Sequence, residues 1–225
     1  MVQNARKLTG YTINATDGAF GKVDDFYFNE RFWLIRYLVA GTEGWLPNRL
    51  VLISPFVITK VDLENQSLAV NLNREQVINS PPISYDMPVS RAKEIELLQY
   101  YGWPDFWQPL EVNLAKSAVL LTKWTDKEST YKKNPNERVY NPYLRSTHEI
   151  FGYKIRAKRG YAGHIDDYLI DIRDWSIQYF IVKTNLWGRK VLLAPNWIDK
   201  VDWAHRRIRV QLARKLIKNA EVFHY

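Results

Sequence analysis

The chain has 225 residues, no cysteine, 14% aromatic residues and a formal net charge of +8. Without cysteine, disulfides, thiolate metal sites and cysteine nucleophiles are excluded. No apolar signal stretch and no run of about 18 apolar residues occurs, which predicts a cytoplasmic protein with no transmembrane segment. The charge is unevenly spread: residues 1–90 carry 8 Lys and Arg against 9 Asp and Glu, residues 91–140 carry 8 against 7, and residues 141–225 carry 16 against 8.

In chain order, Tyr11-Thr-Ile-Asn-Ala15 alternates as a strand, and Thr16-Asp17-Gly18 is a turn signal. The next strand, residues 20–28, changes parity midway: Val23 is odd, whereas Phe26 and Phe28 are even. A period-2 strand buries all three on one face only if it holds an extra residue, so Asp24-Asp25 marks a β-bulge. Trp33, Ile35, Tyr37 and Val39 line the following strand, and residues 49–53, 58–62 and 68–72 supply three more. Asn73-Arg-Glu-Gln76 has an N-cap with Gln three places on, which predicts a short closing helix ending near Asn79. Short strands at this spacing point to a small, strongly bent sheet or barrel.

The chain then writes this unit again. Gly10-Tyr11-x-Ile13 returns as Gly152-Tyr153-x-Ile155, Gly18-x-x-Gly21 as Gly160-x-x-Gly163, and Asp24-Asp25 as Asp166-Asp167. Trp33-x-Ile35-x-Tyr37-x-Val39 returns as Trp175-x-Ile177-x-Tyr179-x-Ile181 at the same offset of 142. Beyond Trp45 and Trp187 the offset becomes 140 and holds from Pro55/Pro195 to Arg74/Arg214. Register kept this long predicts two homologous domains, residues 1–80 and 141–225.

Residues 81–140 belong to neither copy and are expected to pack on at least one of them. Residues 90–101 read as a helix, with Ser90 as N-cap, Ile95, Leu98 and Tyr101 as its apolar stripe, and Gly102 past its end. Five aromatics follow within residues 100–107: Tyr100, Tyr101, Trp103, Phe106 and Trp107. Exposed, they form a surface for a protein partner. Burial is the reading favoured by the cost of exposing such rings. Residues 126–138 are polar and read as mobile.

The pattern of Gly-Tyr-x-Ile, Gly-x-x-Gly, Asp-Asp and Trp-x-Ile-x-Tyr resembles the PRC-barrel family, over residues 1–80 and again over residues 141–225. That family is named for the cytoplasmic domain of the photosynthetic reaction centre H subunit, and includes a domain of a ribosome maturation factor. Residues 141–146 and the Tyr-Tyr-Gly-Trp-Pro segment also look like those of bacterial two-barrel members. The resemblance implies a mainly β protein of two small PRC-type β-barrels joined by a helix-containing linker. It also implies a fold without catalytic residues.

Four groups of residues bear on chemistry. His164-Ile-Asp166-Asp167 suggests a metal or acid–base cluster, but its counterpart is Lys22-Val-Asp24-Asp25, so a structural role at the bulge is favoured. The four histidines lack the i, i+4 spacing of a helical metal site, and no metal or cofactor is expected. The Gly-x-x-Gly pairs lack the strand–loop–helix setting of a phosphate loop and read as hairpin turns. Finally, Arg206, Arg207, Arg209, Arg214, Lys215 and Lys218 form a candidate anion-binding face, which Lys154, Arg156, Lys158 and Arg159 extend, with Trp203 nearby for stacking. The bland reading of these cations is a sheet edge kept positive against strand-to-strand aggregation.

The sequence therefore predicts a non-enzymatic adaptor, binding protein partners or a second copy of itself. The alternative is an RNA- or ribosome-associated factor using the basic face of the second copy. Polyanion binding is expected to reside in residues 141–225 and to be absent from residues 1–80.

Overall fold

The computed structural model describes residues 1–42, 49–83, 89–103, 144–184 and 189–223. The first copy runs β1 (Val2–Asn4), α1 (Ala5–Leu8), β2 (Thr12–Ala15), β3 (Gly18–Asn29), β4 (Leu34–Gly41), β5 (Leu50–Ile53), β6 (Ile58–Asp62), β7 (Ser67–Val70) and α2 (Arg74–Ile78). After α3 (Arg91–Tyr101), the second copy runs β8 (Leu144–Ser146), α4 (Thr147–Ile150), β9 (Lys154–Ala157), β10 (Gly160–Asp171), β11 (Ser176–Lys183), β12 (Lys190–Leu193), β13 (Ile198–Asp202), β14 (Arg207–Val210) and α5 (Arg214–Lys218). The protein is mainly β, as its alternation of apolar and turn residues predicts.

Within the first copy the strands pair in the order β6-β7-β2-β3-β4-β5, and the second copy repeats this as β13-β14-β9-β10-β11-β12. The two paths join, because β4 meets β11, so all fourteen strands form one sheet. That sheet does not close, and the expectation of two separate barrels is corrected to this extent. Residues 1–86 and 143–225 form one compact unit; residues 87–142 form another.

The copies are interlocked. β1 of the first copy pairs with β10 of the second, Val2 opposite Asp171, while β8 of the second pairs with β3 of the first, Leu144 opposite Asn29. Each short helix follows its strand across, α1 packing on β10 and α4 on β3. At the centre Leu34 faces Ser176, and the hydrogen bonds are reciprocal: Ile35 N donates to Trp175 O at 2.8 Å, and Ile177 N to Trp33 O at 2.7 Å. Trp33 and Trp175 share a left-handed backbone conformation, φ 57° and 58°. The Trp33 ring meets Phe180 edge-on at 5.0 Å, and Trp175 lies 6.4 Å from Phe26.

The repeated motifs now have physical causes. Register slips between Val23 and Asp25, and between Ile165 and Asp167, so Asp24 and Asp166 are the inserted residues of two β-bulges. The slip turns Val23, Phe26 and Phe28 to the buried side together. In each Gly-x-x-Gly pair the first glycine turns the hairpin at positive φ, 137° at Gly18 and 87° at Gly160. The second glycine lies under the end of the neighbouring strand, where an added Cβ would stand 2.5 Å from Gly41 O or 2.4 Å from Lys183 O. α2 has the capping box expected of Asn73 and Gln76.

Helix α3 is capped as its sequence dictates, Lys93 N donating to Ser90 Oγ and Gly102 taking the left-handed conformation at φ 66°. Its buried stripe differs from the expected one. Glu94, Leu97 and Leu98 are buried, with Tyr101 half-buried one turn on, whereas Ile95 is 39% exposed. Positions 94, 97, 98 and 101 form the regular i, i+3, i+4, i+7 face, and an acidic residue at its first position hid it.

Candidate anion-binding face

β14 alternates Arg207, Ile208, Arg209 and Val210, and its burial follows: both arginines are exposed, Ile208 and Val210 are buried. β9 does the same with Lys154 and Arg156 out and Ile155 in. The two strands pair in parallel, placing Arg207 beside Lys154 and Arg209 beside Arg156. Adjacent strands are about 4.8 Å apart and alternate residues about 6.6 Å apart, so four cations form a compact quadrilateral on one face. Lys200 of β13 extends it opposite Arg209, and Tyr161 of β10 borders it opposite Arg156.

Two shallow hollows dent this face. One, of about 380 Å³, is lined by Lys154, Arg156, Tyr161 and Arg207. The other, of about 160 Å³, lies among Arg156, Lys200, Asp202, Arg207 and Arg209. Two carboxylates share the surface: Asp199 is 4.0 Å from Arg209, and Asp202 is engaged by His205 at 2.9 Å. Among the described residues, no carboxylate is within ion-pair distance of Lys154, Arg156, Lys200 or Arg207.

The edge-protection reading of these cations fails on topology. β14 is bonded on one side to β13 and on the other to β9, and β9 is bonded on its far side to β10, so the four cations stand on interior strands. There they form like-charge cross-strand pairs, which oppose folding rather than support it. The first copy has none of this: Thr12, Asn14, Ser67 and Ala69 occupy the matching positions on β2 and β7.

The remaining basic candidates are dispersed. Arg206 sits in the β13–β14 turn at φ 52° and reaches 5.6 Å over the Tyr153 ring. Arg214, Lys215 and Lys218 are on α5, and Arg159 is exposed in the β9–β10 turn; none of them lines a described hollow of this face. Lys158 borders a third hollow, with Arg156, Asp199 and Arg209. Trp203 is not available for stacking there, since Arg145 covers its ring at 4.3 Å and Tyr153 meets it edge-on at 5.6 Å. The aromatic ring at the face is Tyr161, 41% exposed, its hydroxyl 3.4 Å from His164 Nδ1. Comparing the copies strand by strand would have found it, because Ala19 stands at its place in the first copy.

In the aromatic segment, Trp103 is 7% exposed and stacks on Tyr101 at 4.1 Å, while Tyr100 is 40% exposed. Phe106 and Trp107 lie outside the described residues, as do residues 126–138.

No protein-family model matches this chain, and no curated protein is a significant match to it. Among the described residues no helix is long and apolar enough to cross a membrane, and no three His, Asp or Glu side chains converge as a metal set.

The second Asp of each pair acts in the interlock. Asp25 accepts from Phe26 N at 2.7 Å and, across the seam, from Thr147 Oγ1 at 2.6 Å, Ser146 Oγ and His148 N. Asp166 pairs with Lys190 at 2.8 Å. Asp167 accepts from Tyr168 N at 2.8 Å and faces Arg6 Nε at 3.9 Å. Burial pushes the Asp167 carboxyl up from 3.8 to about 6, against the lowering pull of the Tyr168 amide and Arg6.

A pKa raised by folding means that the ionised carboxylate opposes folding. The stability from protonated Asp167 is fully present below about pH 4 and is lost as pH rises through about 6. Between pH 7 and pH 5 this residue should therefore add about 1 kcal/mol to stability. Asp167→Asn keeps the acceptor oxygen and should remove that increment, leaving urea midpoints flatter with pH and higher at pH 7. A variant less stable than the native chain at pH 7 would show that the Arg6 pairing outweighs desolvation.

Proposed function

We propose that this chain is a non-enzymatic, cytoplasmic binding protein built from two PRC-type barrel copies, whose second copy engages an anionic macromolecule through the outer face of β9 and β14. The observation that carries this is the quadrilateral of Lys154, Arg156, Arg207 and Arg209 on interior strands, set against neutral residues at the same places in the first copy. Clustered cations cost folding stability and give back affinity for a polyanion by releasing its condensed counterions. The barrel reading draws on the motif resemblance and on the strand order shared by the two copies. A protein partner or a second copy of the chain at Tyr100, Tyr101 and Trp103 is compatible with this role, and Tyr100 offers exposed surface for it.

The test uses the full chain on immobilised heparin. The native protein should be retained at low salt and elute on a rising gradient. Arg207→Glu with Arg209→Glu should lose retention, and Ser67→Glu with Ala69→Glu on the matching face of the first copy should not. Equal retention of both variants would refute the proposal, as would no retention of the native chain.

A further inference from the structure

Resting on that reading, we infer that the anion is single-stranded nucleic acid, laid along β9 and β14 with one unpaired base stacked on Tyr161. Three observations lead there. The cations lie in two parallel rows, Lys154/Arg156 and Arg207/Arg209. Within each row the spacing is about 6.6 Å, close to the phosphate repeat of an extended strand.

The second observation is the ring. Tyr161 lies opposite Arg156, 41% exposed, and walls the same hollow of about 380 Å³ as Lys154, Arg156 and Arg207. A phenol beside a cationic row is the combination by which sheet surfaces hold single strands, phosphates on the cations and a base on the ring. The hydroxyl approaches His164 Nδ1 at 3.4 Å. A duplex keeps its bases stacked internally and has none to offer.

The third is the pair of carboxylates bordering the rows. Asp199 and Asp202 repel phosphates but accept hydrogen bonds from exocyclic base amines and ribose hydroxyls. They stand beyond Arg209 and Arg207 on β13, on the side of the rows away from Tyr161. A heparin-like chain has no base amines to offer them.

Fluorescence anisotropy on the full chain tests this with a labelled single-stranded RNA of about twenty nucleotides, its duplex form, heparin and poly-glutamate as probes. The single strand should bind more tightly than the duplex or poly-glutamate. Four phosphate contacts predict a log–log salt slope near about −3. Arg207→Ala with Arg209→Ala should halve that slope and weaken binding of both RNA and heparin. Tyr161→Ala should weaken the single strand about tenfold and leave heparin unchanged. Thermal melts of each variant check that it is folded. Heparin binding that needs Arg207 and Arg209, without a preference for single strands or a loss at Tyr161→Ala, overturns this inference and leaves the proposed function standing. Poly-glutamate binding more tightly than RNA assigns the face to an acidic protein instead. If no polyanion binds, both readings fall.

Discussion

Residues 1–80 and residues 141–225, produced as separate chains, are each expected to give no folded monomer. A lone first copy loses β8 from the side of β3 and the α4 helix that packs there, and a lone second copy loses β1 and α1 in the same way. The seam aromatics Phe26, Trp33, Trp175 and Phe180 would also lose their partners. Exposing a large apolar side chain costs about 1.5–3 kcal/mol. Each lone copy exposes two of them and loses one short strand pairing with its helix, which reaches the lower end of the roughly 5–15 kcal/mol that holds a domain together. Mixing the two fragments should restore the native circular dichroism and dispersed amide spectrum, with one copy of each in the complex. A well-dispersed monomeric spectrum from either fragment alone would show that the interlock is ornamental to stability. Self-association of a lone copy would agree with it, since the seam is nearly self-complementary.

Gly163→Ala should be the most damaging glycine-to-alanine substitution among the described residues, destabilising by on the order of 4 kcal/mol or more. Two independent penalties meet there. The backbone is at φ +146°, and an added Cβ would stand 2.4 Å from Lys183 O and 2.9 Å from Val182 Cγ1. Neighbouring glycines separate the two causes. Gly160 has φ +87° with nothing within 4 Å of the added atom, so Gly160→Ala should cost only about 1–2 kcal/mol. Gly21 has no positive φ but a Cβ contact of 2.5 Å with Gly41 O, so Gly21→Ala reports the close approach alone. Urea denaturation of the three variants orders them as Gly163 worst and Gly160 mildest. Equal losses at Gly160 and Gly163 would mean that conformation, and not crowding, requires these glycines.

Much of this fold could be read from residue pattern because its elements are local. The parity change from Val23 to Phe26 revealed the bulge, and Asn73 with Gln76 revealed the α2 cap, since each is set by neighbours a few places apart. The interlock was not legible. Val2-Gln-Asn4 and Leu144-Arg-Ser146 are too short to show a period, and their pairing partners lie in the other copy. The role of Asp25 was half visible: short carboxylates suit a bulge, but nothing local says that this one caps a helix about 120 residues away. The cationic face was found through Arg207 and Arg209. The sheet sets Lys154 and Arg156, which in sequence are only an extension of that face, directly beside Arg207 and Arg209, whereas Arg206 and the α5 cations are near in sequence and stand on a turn and a helix.

Carrying both copies in one polypeptide has a consequence for stoichiometry. In a homodimer of identical chains, any residue placed on one outward face is placed on both, and a ligand site comes in twos. Here the seam is shared, yet the outer strands are encoded separately, and only the β9–β14 face bears the quadrilateral while β2–β7 stays neutral. The molecule thus has the construction of a twofold assembly with, among its described residues, a single such cationic face. Under the proposed function each chain would take one ligand, in one direction, with no matching cationic face on the first copy to compete for it.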